Sequence, residues 1–113
     1  MIKAILTVKR RAELTHAEFR DRYEAVHAPL AVSLLPTLRG YTRNFVSTAN
    51  GAEPPFDVIT EFWYDDEAGQ NAVREFYLSE AGKVLRDDEV EFMDRASMTF
   101  YVVDERVSDI KRA

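Results

Sequence analysis

The chain contains no cysteine, which excludes disulfides, thiolate metal sites, iron–sulfur clusters and a cysteine nucleophile together. It has no excess of basic residues: 15 lysines and arginines stand against 20 acids, for a net charge of -5. Without a broad cationic surface to neutralise a phosphate backbone, nucleic acid is not an expected partner. Glycine is scarce, with four in all, and neither G-x-G-x-x-G nor G-x-x-x-x-G-K occurs, so no nicotinamide, flavin or nucleotide cofactor is expected. Long apolar runs are missing too. The N-terminal stretch Met1 to Lys9 is too short for a signal peptide and too short to cross a membrane, which leads us to expect a cytoplasmic protein with no membrane partner. Two histidines within one helical segment and scattered acids give no converging ligand set, so no metal is expected.

What is present suits one packed domain. The chain has 113 residues, is 46% hydrophobic, and carries seven phenylalanines, five tyrosines and one tryptophan, enough for one core and too little chain for two. We place the domain at 1–105 and a charged C-terminal tail at 106–113. Ile2 to Lys9 alternates as a β-strand with apolar residues on both faces. Thr15-His16-Ala17-Glu18 has the spacing of a capping box and starts a helix, whose stripe of Phe19, Tyr23, Val26, Leu30 and Leu34 is interrupted by Pro29. Proline removes a donor and crowds the preceding turn, which predicts a kink or a restart just beyond His27.

A second strand is expected over roughly Tyr41 to Thr48, and a loop over Ala49 to Pro55 marked by Asn-Gly and Pro-Pro. Asp57 to Tyr64 reads as the third strand. Asp65-Asp66-Glu67 places acids where a helix N-terminus favours them. Ser79 is expected to cap a further helical piece through Val84, Leu85 and Phe92, and Met98 to Val103 closes the domain as the fourth strand.

Strand, helix, strand, strand, helix, strand is the order of an α+β, ferredoxin-like split βαβ domain: a four-stranded antiparallel sheet with helices on one face. Ile5, Trp63 and Tyr101 then point to the uncovered face, where exposure would leave a large apolar patch. Two such sheets facing each other would bury it, so a homodimer is expected.

The segments Leu14-Thr15-His16-Ala17-Glu18-Phe19, His27-Ala28-Pro29-Leu30 and Leu35-Pro36-Thr37-Leu38-Arg39-Gly40-Tyr41 resemble the EthD family of dimeric α+β barrel proteins. Phe56-Asp57, Glu61-Phe62-Trp63-Tyr64 and Asp88 to Arg95 carry the resemblance further, so that it spans Met1 to about Glu105. It implies a cavity between sheet and helices that accepts a small cyclic, mostly apolar molecule. It also implies the function range of this fold group: isomerases, cyclases and cofactor-free oxygenases, with the family commonly labelled oxidoreductase.

His27 is the first catalytic candidate, because imidazole exchanges a proton near neutral pH and the helix breaks beside it; a core or capping histidine is the alternative. Tyr41 is the second, as a hydroxyl that can donate to a carbonyl or enolate oxygen; a core tyrosine is equally consistent. Asn44, Glu61 and Trp63 are the substrate-binding candidates. Tyr41 and Asn44 differ by an odd number of residues, so a regular strand cannot aim both at one cavity. Glu61 shares a strand face with Trp63, and its structural alternative is an ion pair with Arg43 across the hairpin. His16 is expected to be exposed, and Asp94 and Arg95 to form an ion pair at a helix terminus.

Three functions follow. The first is a cofactor-free enzyme in which His27 moves a proton on a cyclic substrate held near Tyr41 and Trp63. The second is a protein that binds or delivers a hydrophobic metabolite without chemistry, and the third a dimeric accessory subunit with a filled cavity.

Overall fold

A computed structural model describes residues 1–48 and 50–113; Ala49, the first residue of the expected 49–55 loop, lies outside the described residues. The elements are β1 (Ile2–Arg10), α1 (His16–Arg22), a π-helical turn (Tyr23–His27), α2 (Ala28–Leu34), β2 (Leu38–Phe45), β3 (Val58–Tyr64), α3 (Glu67–Leu78), α4 (Lys83–Phe92) and β4 (Met93–Val103). The strands form one sheet in the order β2-β3-β1-β4 with every neighbouring pair antiparallel. This is the ferredoxin-like arrangement that the order of elements predicts.

Register assigns each side chain to a face. Ala4, Leu6 and Val8 of β1 stand opposite Phe62, Thr60 and Val58 of β3, and Tyr41, Arg43 and Phe45 of β2 stand opposite the same three. These residues face the helices. Val8 and Val58 are fully buried there with Phe19, Tyr23 and Phe92, and the aromatic rings meet edge to face, as Phe19 and Tyr23 do at 6.1 Å and 87°. Lys3, Ile5 and Thr7 pair with Trp63, Glu61 and Ile59 on the outer face.

The capping box forms as the spacing predicts: the Thr15 hydroxyl accepts from Glu18 N at 3.1 Å, and Thr15 N donates to the Glu18 carboxylate at 2.9 Å. Pro29 restarts the helix without bending the chain out of helical conformation. Ala28 N–H donates to Tyr23 O, a wider turn than the α-helical one, and Pro29 then falls in the first turn of α2, where its missing donor costs nothing. The extra residue in the turn leaves Tyr23 and His27 both buried. Single π-turns of this kind recur at functional sites.

Three boundaries differ from the sequence reading. β2 is Leu38–Phe45 rather than Tyr41–Thr48, with a register shift between Leu38 and Gly40 that sets Gly40 beneath the Trp63 ring; a Cβ there would lie 2.8 Å from Trp63 Cε3. Ser79 closes α3 instead of opening α4: its hydroxyl donates to Phe76 O at 2.6 Å, and the next helix starts at Lys83, preceded by Gly82 with no side-chain cap. β4 begins at Met93, because Met93 and Asp94 pair with Arg10 and Lys9 before a register shift, across which the Ser97 hydroxyl accepts from Lys9 N at 2.8 Å. Residues 104–113 have no regular structure and are exposed. No helix among the described residues is long and apolar enough to cross a membrane.

Candidate active site

A cavity of about 490 Å³ opens between the helix-facing side of the sheet and the helices, within the size range of small-molecule sites. Its floor includes Leu6, Tyr41, Phe62, Tyr64 and Phe100, and its roof includes Tyr23, His27, Tyr77 and Glu89. Four of the five tyrosines line it.

His27 comes to the cavity because the π-turn aligns it with Tyr23, whose ring meets the imidazole edge-on at 5.5 Å. The imidazole is 5% exposed. Its Nδ1 lies 2.9 Å from Asp88 Oδ2. A carboxylate only accepts, so Nδ1 carries the proton, and in the neutral ring Nε2 presents its lone pair. Asp88 is also buried, and its other oxygen pairs with Arg22 from α1, which balances its charge. The carboxylate therefore fixes the tautomer and the ring orientation, the arrangement that a general base requires.

Glu89 lies on the other side of the imidazole, with Oε2 3.8 Å from His27 Nε2. Its Oε1 accepts from the Tyr77 hydroxyl at 2.5 Å, and Arg95 Nε stands 3.7 Å from the same oxygen. Burial pushes the Glu89 carboxyl above its ordinary range, against the lowering effects of the Tyr77 hydrogen bond, His27 and Arg95. Burial likewise pushes the Tyr64 and Tyr77 hydroxyls up to about 12, and raises those of Tyr23 and Tyr41, so these phenols are proton donors rather than anions. Tyr41 donates to the Tyr23 hydroxyl at 3.3 Å, and Tyr23 is 2.8 Å from the Thr60 hydroxyl. The Tyr41 ring stacks on Phe62 at 5.3 Å.

The structure thus brings His27 and Tyr41 to one cavity and separates them from Asn44, Glu61 and Trp63. Those three share the outer face, opposite the cavity, which corrects the expectation that they contact a ligand held by His27. The cause is register: Asn44 pairs with Ile59, and Thr42 with Glu61, one residue out of step with the cavity-facing Tyr41–Phe62 and Arg43–Thr60 pairs. Asn44 Nδ2 donates to Ile59 O at 2.9 Å. Glu61 pairs with Lys3 at 3.3 Å rather than with Arg43, which reaches Glu24 on the helix side at 2.8 Å. Lys3 Nζ also sits 4.9 Å above the Trp63 ring. Arg95 pairs with Glu89 across the cavity wall and not with Asp94 as expected.

Asp88, Glu89, Tyr77 and Tyr23 are site residues that the sequence reading did not single out. A signal for two of them exists: Leu85, Asp88, Glu89 and Phe92 are spaced as the inward stripe of a helix, and all four are buried. Acids at two inward positions mark a polar group held inside the fold.

Among the described residues, one set of metal-type ligands converges: His16, Glu53 and Asp57. His16 is half exposed, as expected, yet its Nδ1 lies 2.7 Å from Asp57 Oδ1. Arg10 already occupies this cluster, with Nη1 2.7 Å from Glu53 and 3.2 Å from Asp57, and Arg10 N donates to Asp57 Oδ2 at 2.8 Å. A guanidinium balances these acids where a cation would sit, and the cluster pins the chain before β3 to the end of β1.

The sequence model of the EthD domain matches residues 11–96, a span that holds His27, Tyr77, Asp88 and Glu89. None of the curated proteins matches the chain. Among solved structures, an EthD family protein of Bacillus halodurans is similar with a TM-score of 0.67 at 23% identity, over 94% of this chain and 100% of that one. An EthD-like protein of Ralstonia eutropha gives 0.68 at 18% identity, over 98% and 97%. A dimeric protein of Bacteroides fragilis with a ferredoxin-like fold gives 0.58 at 10% identity, over 94% and 95%. At these identities the likeness is one of fold.

Proposed function

The chain belongs to the EthD domain family, and on that premise we propose that it is a cofactor-independent enzyme that moves a proton on a cyclic, mostly apolar metabolite. The observation that carries this reading is the buried His27–Asp88 pair, 2.9 Å apart, at the wall of an aromatic-lined cavity. A buried histidine whose Nδ1 is held by a charge-balanced carboxylate offers Nε2 as a base. Around it the cavity supplies neutral phenols that donate to a developing oxyanion, Tyr41 among them once it leaves its long bond to Tyr23. Isomerisation, dehydration, cyclisation and oxygenation of an electron-rich ring each have a route that begins with such a proton removal. The sequence has no nucleotide-binding loop, and the proton chemistry needs none.

The same reading has the protein act as a homodimer. The outer face carries Ile5 opposite Tyr101, with Ile59 and Trp63 on the same face and Tyr101 51% exposed, and a second copy of that face is a partner of matching chemistry.

The test is a thermal-shift screen of wild type and His27→Ala against small lactones, quinones, phenols and polyketide-like aromatics. A compound that raises the melting temperature of both proteins and is consumed only by wild type supports the enzyme. Binding without consumption in either would replace it by a delivery role, and no shift with any compound by an accessory role.

A further inference from the structure

We propose that Glu89 is a second catalytic group of this cavity, and that its carboxylic acid and the His27 imidazole act as an acid–base pair on a cyclic, enolisable carbonyl compound, interconverting keto and enol forms. This rests on the reading of His27 as the base and adds the group that meets the substrate oxygen.

The His27 Nδ1 proton is committed to Asp88, so Nε2 is an acceptor. An ionised Glu89 is an acceptor only as well. Their nearest atoms, Nε2 and Oε2, are 3.8 Å apart in a buried site, where two unprotonated acceptors this close are unfavourable. One proton shared by the pair relieves this, and it is the proton the proposed step moves. The groups facing Glu89 from each packed element favour its residence on the carboxyl in part and oppose it in part. Tyr77 from α3 donates to Oε1 at 2.5 Å, Arg95 from β4 stands 3.7 Å away, and Asp88 on its own helix carries charge balanced by Arg22. Burial outweighs the cations and raises the proton affinity of the carboxyl above its ordinary range.

The separation of 3.8 Å is too long for a direct hydrogen bond, and it leaves the acid and the base free to engage adjacent atoms of one substrate. Nε2 takes the proton from the carbon next to the carbonyl; the C–H electron pair becomes the C=C bond. The carbonyl π pair moves to oxygen, which takes the proton from Glu89. The products are the enol, an imidazolium and a carboxylate; the imidazolium then returns its proton to Glu89, or to another carbon of the enol while the enol O–H gives its proton back to the Glu89 carboxylate. Nothing is oxidised or reduced. The step leaves Glu89 as a carboxylate, which an already anionic reacting group would oppose, so the reacting end of the substrate is neutral, and the rings of Tyr41, Phe62 and Tyr64 suit a flat apolar body.

The test follows deuterium exchange into β-tetralone, a cyclic enolisable ketone, by proton NMR in deuterium oxide, with β-naphthol as a non-reacting mimic of its enol for affinity. Wild type is expected to exchange far faster than His27→Gln, and Glu89→Gln to lose about 100-fold in exchange rate while still binding β-naphthol. Glu89→Asp should recover part of the rate, and Tyr77→Phe, which leaves the carboxyl in place, should shift the pH profile of exchange. Exchange at the wild-type rate in Glu89→Gln, with loss in His27→Gln, would overturn the role of Glu89 and leave His27 as the base. Exchange by wild type no faster than by His27→Gln would overturn both.

Discussion

His27 and Asp88 lie 61 positions apart in sequence, yet their Nδ1 and Oδ2 atoms are 2.9 Å apart in the buried interior. The π-turn before Pro29 supplies one partner and the inward stripe of α4 the other. Neither element alone defines a site; their packing does.

Asp88→Asn keeps the shape and removes the charge. Nδ1 can then be met by an amide carbonyl or an amide NH₂, and the tautomer is no longer fixed. Turnover should fall by about 100-fold to 10,000-fold, by analogy with the loss of the orienting carboxylate in a serine-protease triad. The check is kcat of the variant beside a far-ultraviolet circular dichroism spectrum that matches wild type.

Glu89 gives a pH dependence of stability with a definite sign. Its folded-state proton affinity is raised by burial, so the folded protein holds this proton more tightly than the unfolded chain does. The stabilisation is complete below the ordinary carboxylate range and is lost as pH rises through the raised value. Glu89→Gln, which cannot ionise, should therefore gain melting temperature relative to wild type as pH rises from 4 to 8. A difference that is constant across that series would contradict it.

Gly40→Ala forces a methyl into the Trp63 ring, 2.8 Å from Cε3. We expect a loss of about 1–3 kcal/mol from overpacking, together with a shift in tryptophan emission. Trp63 is the only tryptophan, so the emission reports the surroundings of this one ring, and urea unfolding followed at that wavelength measures both effects.

The outer face predicts association. Ile5→Asp combined with Tyr101→Asp places charge at the centre of the face expected to meet a second copy. Sedimentation should show a dimer for wild type and a monomer for the double variant, while both retain β-naphthol binding, because the cavity lies on the other side of the sheet. A wild-type monomer at micromolar concentration would contradict the dimer.

The Thr15 cap is a local control. Thr15→Ala removes the acceptor for Glu18 N and should cost about 1 kcal/mol of stability without altering exchange or binding, since the cap lies at the far end of α1 from His27.

The sequence by itself determined the local matters. The capping box at Thr15, the interruption at Pro29, the alternation of β1 and the order of elements are short-range consequences of side-chain and backbone chemistry, and each is present in the structure. So is the parity argument over Tyr41 and Asn44, since residues an odd number apart on a regular strand face opposite ways. What parity could not say is which of the two faces the cavity. That choice belongs to the side on which the helices pack. Glu61 and Trp63 fell with Asn44 on the outer side for the same reason. Ser79, read as the start of a helix, proved to end one, because its hydroxyl found Phe76 O behind it. The acids of α4 stand at inward positions of an amphipathic stripe, a pattern legible in the sequence although they were not singled out. Their partner was not legible, because the distance between Asp88 and His27 exists only once α4 lies across the π-turn. Tertiary packing, which acts between residues far apart in the chain, decided the site.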